Sequence, residues 1–172
     1  MITLETARLR LRPWTSADLE TLHGWTSDPR MMEHMGRGPL SRDETRAMLV
    51  RTEQHWERHG FGVWLAEDRE SGEPAGRVGL SYHRAWPHAE PEVGWWIAPE
   101  RWGEGLATEA GAAAIDHAFG TLGVARVVSI CTEANVPSRR VMEKLELEKL
   151  TEVPFPELGL QLWVHARDRL DM

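Results

Sequence analysis

The stretch that most restricts how this chain can fold is Gly94-Trp95-Trp96-Ile97-Ala98-Pro99-Glu100-Arg101-Trp102-Gly103-Glu104-Gly105-Leu106-Ala107-Thr108-Glu109-Ala110. An apolar run ends at Pro99, a loop with two glycines follows, and an alanine-rich helix begins at once. A strand that feeds a helix so directly demands a sheet with that helix packed on its face. The first backbone N–H groups of the helix have no partner within it, and the helix dipole adds partial positive charge there. Gly103 and Gly105 remove the side chains that would keep an oxygen-rich anion away, so the loop reads as a pyrophosphate cradle. Tight turns also use glycine for structural reasons alone, and that reading stands beside the first.

The other elements are read from periodicity and breakers. Thr6 to Pro13 sets Leu9 and Leu11 against Arg8, Arg10 and Arg12, the alternation of a strand. Thr15-Ser16-Ala17-Asp18 and Ser41-Arg42-Asp43-Glu44 are helix-start boxes. The first opens a short helix to about Trp25, and the second a longer one that Gly60 stops after His59. Asp28-Pro29 breaks the chain between them, ahead of Met31, Met32 and Met35. Phe61–Glu67 and Pro74–Tyr82 flank the polar turn Glu70-Ser71-Gly72-Glu73, and Pro91–Ala98 adds a third strand. After the helix from Thr108 to about Gly120 come a strand at Ala125–Thr132, a helix at Pro137–Leu145, and strands at Lys149–Val153 and Leu160–Arg167. This order predicts a single mixed α/β domain over residues 1–172, with a seven-stranded sheet and helices on both faces.

Bulk properties narrow the function. No apolar run approaches the ~20 residues of a membrane-spanning helix, and no signal-peptide block stands at the start. A cytoplasmic protein without membrane contact is expected. A formal net charge of −7 argues against a nucleic-acid partner, which needs clustered Lys and Arg, and favours approach of cationic substrates. An anionic ligand must then be met locally, and Arg101, Arg139 and Arg140 are the candidates. Cys131, in the run Val127-Val128-Ser129-Ile130-Cys131, reads as a buried, inert thiol. His55 and His59 are four apart on a helix but lack a third ligand, so no metal is expected.

Of two familiar phosphate loops tested against the cradle, one fails and the other, a dinucleotide site, stays as a distant rival. A nucleoside-triphosphate loop needs Gly-Lys followed by Ser or Thr, and no lysine is near. A dinucleotide fingerprint needs a third glycine where Thr108 stands, and Glu133 comes too late to serve as its ribose-binding acid.

Taken together, several segments resemble the GNAT superfamily of acetyltransferases, in particular its Rim-type branch of ribosomal-protein N-terminal acetyltransferases. They are Glu5-Thr6-Ala7-Arg8-Leu9-Arg10-Leu11-Arg12, Gly60-Phe61-Gly62-Val63-Trp64, the Gly94–Ala110 stretch, and Asn135-Val136-Pro137-Ser138-Arg139-Arg140-Val141-Met142-Glu143-Lys144-Leu145. They span nearly the whole chain, and their order and spacing are specific where each alone is weak. The family's cofactor loop has Gln or Arg, two residues, Gly, one residue, then Gly or Ala. Gly105 and Ala107 match, and Trp102 replaces the Gln or Arg. Glu146 stands where the family usually has glycine, which leaves the local turn open.

The resemblance implies an acetyl-CoA-dependent N-acetyltransferase in which the strand before the loop splays from the one at Val127–Thr132. Backbone groups of Trp95, Trp96 and Ile97 would pair with the pantetheine arm in that gap. Trp102, Gly103, Glu104, Gly105, Leu106, Ala107 and Thr108 would wrap the pyrophosphate. Asn135 would bond the arm from the far side, and Ser138 would sit near the sulfur.

Acyl transfer to an amine needs a neutral amine, an oxyanion donor and a proton for the leaving thiolate. Glu92, ten residues before Trp102, lies close to where many family members carry a base glutamate, and period two puts it on one face with Gly94 and Trp96. An ordinary solvated carboxylate is the alternative. Met142 takes the place of a tyrosine that supplies the thiolate proton in some members. Ser138, one turn earlier, is then the substitute donor, or else a helix-start serine serving local backbone groups. A strand N–H near Trp96 would face the oxyanion. The expected acceptor is a primary amine, a protein or peptide N-terminus first, then a polyamine, aminoglycoside or other small amine. A non-catalytic acyl-CoA-binding module would keep the cradle and not depend on Glu92. The oligomeric state stays open, a homodimer included.

Overall fold

Alternating burial decides the sheet: Leu9 and Leu11 are fully buried while Arg8 and Arg10, which alternate with them, face solvent. The computed structural model describes residues 2–170. Its strands are β1 (Leu4–Glu5), β2 (Leu9–Pro13), β3 (Val63–Asp68), β4 (Pro74–Ser81), β5 (Glu92–Ile97), β6 (Arg126–Thr132), β7 (Glu148–Phe155) and β8 (Leu160–Asp168). The helices are α1 (Leu19–Thr26), α2 (Pro29–Met32), α3 (Arg42–His59), α4 (Leu106–Gly120) and α5 (Val136–Lys144). The strands form one eight-stranded mixed sheet in the order β1-β2-β3-β4-β5-β6-β8-β7.

The eighth strand corrects the expected seven. Residues 6–13 do not run as one strand, because Thr6 N–H donates to the Leu9 carbonyl at 2.8 Å and closes a turn. The two residues before that turn fold back antiparallel, Leu4 opposite Leu11 and Glu5 opposite Arg10. A two-residue strand is too short for periodicity to reveal.

Two apolar layers hold the sheet. On one face Val78, Leu80, Val93 and Ile97 pack under Leu106, Ala110, Ala114 and Ile115 of α4. The small residues let α4 approach closely. A Cβ on Gly111 would lie 2.8 Å from Leu145 Cδ1 and 3.4 Å from the Trp95 ring. On the other face α1 and α3 bury Trp14, Leu19, Leu22 and Leu49 against Leu65 of β3.

Helix α3 starts on its expected box, with Ser41 N–H donating to Glu44 at 2.8 Å, and ends at Gly60 with φ 74°. At the end of α5, Glu146 has φ 58°, the one non-glycine with positive φ among the described residues. The family's glycine turn is therefore kept without the glycine, at a cost of about 1–2 kcal/mol for an L residue in that region.

The feature that makes a site is the join between β5 and β6. These strands run parallel and share one register pair, Glu92 opposite Val128, whereas β6 pairs with β8 over seven residues. Beyond Glu92 β5 has no β6 partner, so a gap opens along Val93–Ile97.

Candidate active site

The gap is one arm of a cleft of about 730 Å³. Its lining includes Trp95, Trp96, Ile97, Trp102, Gly103, Gly105, Leu106, Ala107, Thr108, Asn135 and Ser138. The second arm lies over the face of β4 and β5 turned away from α4, where Arg77, Gly79, Ser81, Glu92 and Gly94 join the lining.

A 3-10 turn at Pro99–Arg101 leads from β5 into the loop. Trp102 is 53% exposed, and its Nε1–H donates to the Ile97 carbonyl at 2.6 Å. The residue that replaces the family's Gln or Arg thus ties the loop to the strand end. Gly103 and Gly105 have φ 81° and 80°, a region that favours glycine. A Cβ on Gly103 would meet nothing within 4 Å, and one on Gly105 only Arg8 Nη2 at 3.8 Å. Gly105 caps α4 with no side chain over its first N–H groups. An open floor with free helix-start donors fits a pyrophosphate.

Glu104 departs from the other loop residues. It is outside the cleft lining; its carboxylate pairs with Arg101 at 2.9 Å, and its carbonyl accepts from Arg8 Nη1 at 3.0 Å. Arg8 also donates to Glu109 at 2.7 Å, which accepts from Thr6 Oγ1 at 2.6 Å. Thr6, Arg8 and Glu109 therefore brace the cradle from the start of the chain. Their spacing along the chain gives no sign of that support, although all three residues lie in the segments that carry the resemblance.

The candidate cations separate. Arg101 lines the cleft but is engaged by Glu104 and by Asp68 at 3.1 Å. Arg140 lines the cleft and is exposed. Arg139 turns to another hollow, 5.1 Å over the Trp163 ring.

Asn135 and Ser138 come together at the start of α5, where Asn135 Oδ1 accepts from Ser138 N–H at 3.1 Å. Asn135 thus caps the helix with its oxygen and has its amide left for a ligand. Loss of such a cap costs about 0.5–2 kcal/mol, so Asn135→Ala is expected to lower stability by that amount in urea denaturation. Met142 is fully buried with its sulfur 4.0 Å from Cys131 Sγ. Burial pushes the Cys131 thiol up to about 11, which leaves it protonated and unreactive.

Glu92, the first residue of β5, is partly buried in the cleft. Ser81 Oγ donates to its Oε2 at 3.4 Å. Burial pushes the carboxyl up to about 7, against the opposing pull of Arg77 and of hydrogen bonds from Ser81 and the Ile130 backbone. It is the carboxylate in the cleft poised to exchange a proton near neutral pH.

His55 gives its Nδ1 to the Phe61 carbonyl at 2.9 Å. Among the described residues no group of three His, Cys, Asp or Glu is arranged to hold a metal, and no helix is long and apolar enough to cross a membrane.

A family model described as an acetyltransferase (GNAT) domain matches residues 8–148. The Bacillus subtilis protein YkkB is 30% identical over 143 residues, 83% of each chain. The acetyltransferase of Agrobacterium tumefaciens str. C58 superposes with a TM-score of 0.84 at 30% identity, over 98% of this chain and 95% of that one. RimL, a ribosomal L7/L12 alpha-N-protein acetyltransferase solved with coenzyme A, superposes at 0.79 over 97% and 98%; at 16% identity this likeness concerns the fold alone. With its splayed strands, glycine cradle and matching family model, the chain belongs to the GNAT acetyltransferases and is an acyltransferase.

Proposed function

We propose that this protein moves the acetyl group of acetyl-CoA to a primary amine by direct attack in a ternary complex. The observation that carries the reading is Glu92, a carboxyl poised near pH 7 where the gap between β5 and β6 begins. Acetyl-CoA supplies the activated acyl group. The N–H groups of the Gly103–Thr108 cradle hold its pyrophosphate, backbone groups of Trp95, Trp96 and Ile97 align its arm, and the amide of Asn135 meets the arm from α5. Glu92 takes the ammonium proton through one water. An α-amine, with a free pKa of about 7.7–8.0, suits such a base better than a lysine near 10.4, so a protein or peptide N-terminus is the first choice of acceptor. A β5 backbone N–H near Trp96 faces the developing negative charge on the acyl oxygen.

Ser138 is the proton donor to the leaving thiolate. Ser138→Ala is expected to lower turnover about 10²-fold or more while acetyl-CoA affinity changes little. Unchanged turnover would return Ser138 to the helix start, where only its backbone N–H is used.

The deciding experiment is thiol release on mixing the protein with acetyl-CoA and a panel of peptides, polyamines and aminoglycosides. Release that depends on an amine supports the enzyme. Binding of acetyl-CoA with no amine-dependent release from any of them would instead make the protein an acyl-CoA-binding module.

A further inference from the structure

The acceptor arm of the cleft has an ordered charge pattern. Strands β4 and β5 pair Arg77 with Trp96, Gly79 with Gly94, and Ser81 with Glu92, three successive rungs on one face. A cation stands at one end, the proposed base at the other, and two glycines lie between. The floor is open at Gly94, where an added Cβ would meet only Glu92 Oε1 at 3.9 Å, and closed at Gly79, where one would lie 2.5 Å from the Gly62 carbonyl oxygen and from Val63 Cα. Four residues separate the end rungs, about 14 Å between Cα positions at a strand rise of ~3.4 Å, and both residues line the cleft on that face.

Arg77 also has no hydrogen-bonded partner among the described residues and feels Glu92 only through space. Arg12, Arg30, Arg101 and Arg126 each pair with a carboxylate, and Arg77 has neither a side-chain hydrogen bond nor an ion pair among the described residues. It is partly buried and lies 5.0 Å over the Trp96 ring. Burial pulls it down to about 10, so it is still a cation at neutral pH. A guanidinium drawn into a cleft gains most from an anion that can take two parallel N–H bonds.

We infer that Arg77 binds an anionic group of the acceptor, so that the preferred substrate is a primary amine bearing a carboxylate a few bonds from the nitrogen. This rests on the acetyltransferase reading and narrows its acceptor. The carboxylate comes either from a free amino acid or from an acidic side chain near a peptide N-terminus. The two sources present the same chemistry to Arg77.

The test uses matched acceptors: glycine against glycinamide, and C-terminally amidated peptides with Asp against Asn at the second position. Thiol release gives kcat/KM for each, and calorimetric titration into the coenzyme A-loaded protein gives affinity without turnover. One pair at least is expected to favour its carboxylate member by about 10- to 100-fold, and the pair that does so identifies the source. In Arg77→Gln that ratio falls to about one, chiefly through the acceptor KM, and Arg77→Lys restores part of it. Circular dichroism checks that both variants fold. No carboxylate preference in either pair overturns the inference. So does an Arg77→Gln variant that weakens both members equally, or one that raises the acetyl-CoA KM instead. Absence of thiol release with every amine overturns the acetyltransferase reading alone, because the calorimetric preference is measured without chemistry.

Discussion

Glu92→Gln is expected to lower turnover by about 10²- to 10⁴-fold while acetyl-CoA binding stays nearly intact, because a positioned base contributes in that range. The substitution keeps the shape of the side chain and its ability to accept from Ser81 Oγ, and removes only the proton exchange. Since burial holds the carboxyl near 7, wild-type kcat/KM should rise with pH through about 7, and that limb should vanish in the variant. The defect should shrink as pH passes the amine's own pKa of about 7.7–8.0, where free neutral amine needs no base. Equal impairment at every pH would make Glu92 a positioning group, and full activity would make it a bystander.

The same shift has a stability consequence with a definite sign. The folded carboxyl holds its proton up to about 7, against an ordinary value of 4.5. Any stability this contributes is present below pH 4.5 and is lost as pH rises through about 7. Glu92→Gln should therefore be more stable than wild type at pH 8 and no more stable at pH 4. That pattern in thermal unfolding would also show that a drop in turnover is not a folding defect.

Local patterns were readable in the sequence, and cross-strand relations were not. Ser41 to Glu44 and Gly60 bound α3 through contacts a few residues apart, so composition and spacing reveal them. Gly103 and Gly105 are legible because positive φ beside a helix start leaves few other residues suitable. Arg101 is a candidate anion contact by its place in the chain, but it is held by Asp68, 33 residues away across the sheet. Arg77 is not legible in the sequence for the same reason. In Pro74–Ser81 it is one charge in a strand, and only the register with β5 sets it across the glycine pair from Glu92. Glu146 shows the converse, a turn kept where its usual residue is missing, because the backbone bond from Leu147 to the Met142 carbonyl at 2.9 Å closes it.

Acetyl-CoA at 100 times its dissociation constant should stabilise the wild-type fold by about 2.7 kcal/mol, roughly 5–11 °C in Tm for a chain of this size, and Gly105→Val should abolish that shift. Two effects of the substitution have to be separated. A β-branched residue at φ 80° carries backbone strain of about 1–2 kcal/mol, which lowers Tm with or without ligand. The side chain also adds bulk at the residue that caps α4, with Arg8 Nη2 at 3.8 Å as the nearest atom to its Cβ, and crowding of the proposed anion site there would act only on binding. Gly72, in the β3–β4 hairpin, is the matched control. It has φ 75° with nothing within 4 Å of an added Cβ, and it is absent from the cleft lining. Gly72→Val should thus lose a similar amount of stability and keep the full ligand shift. If Gly105→Val keeps it too, the pyrophosphate is not held by this loop.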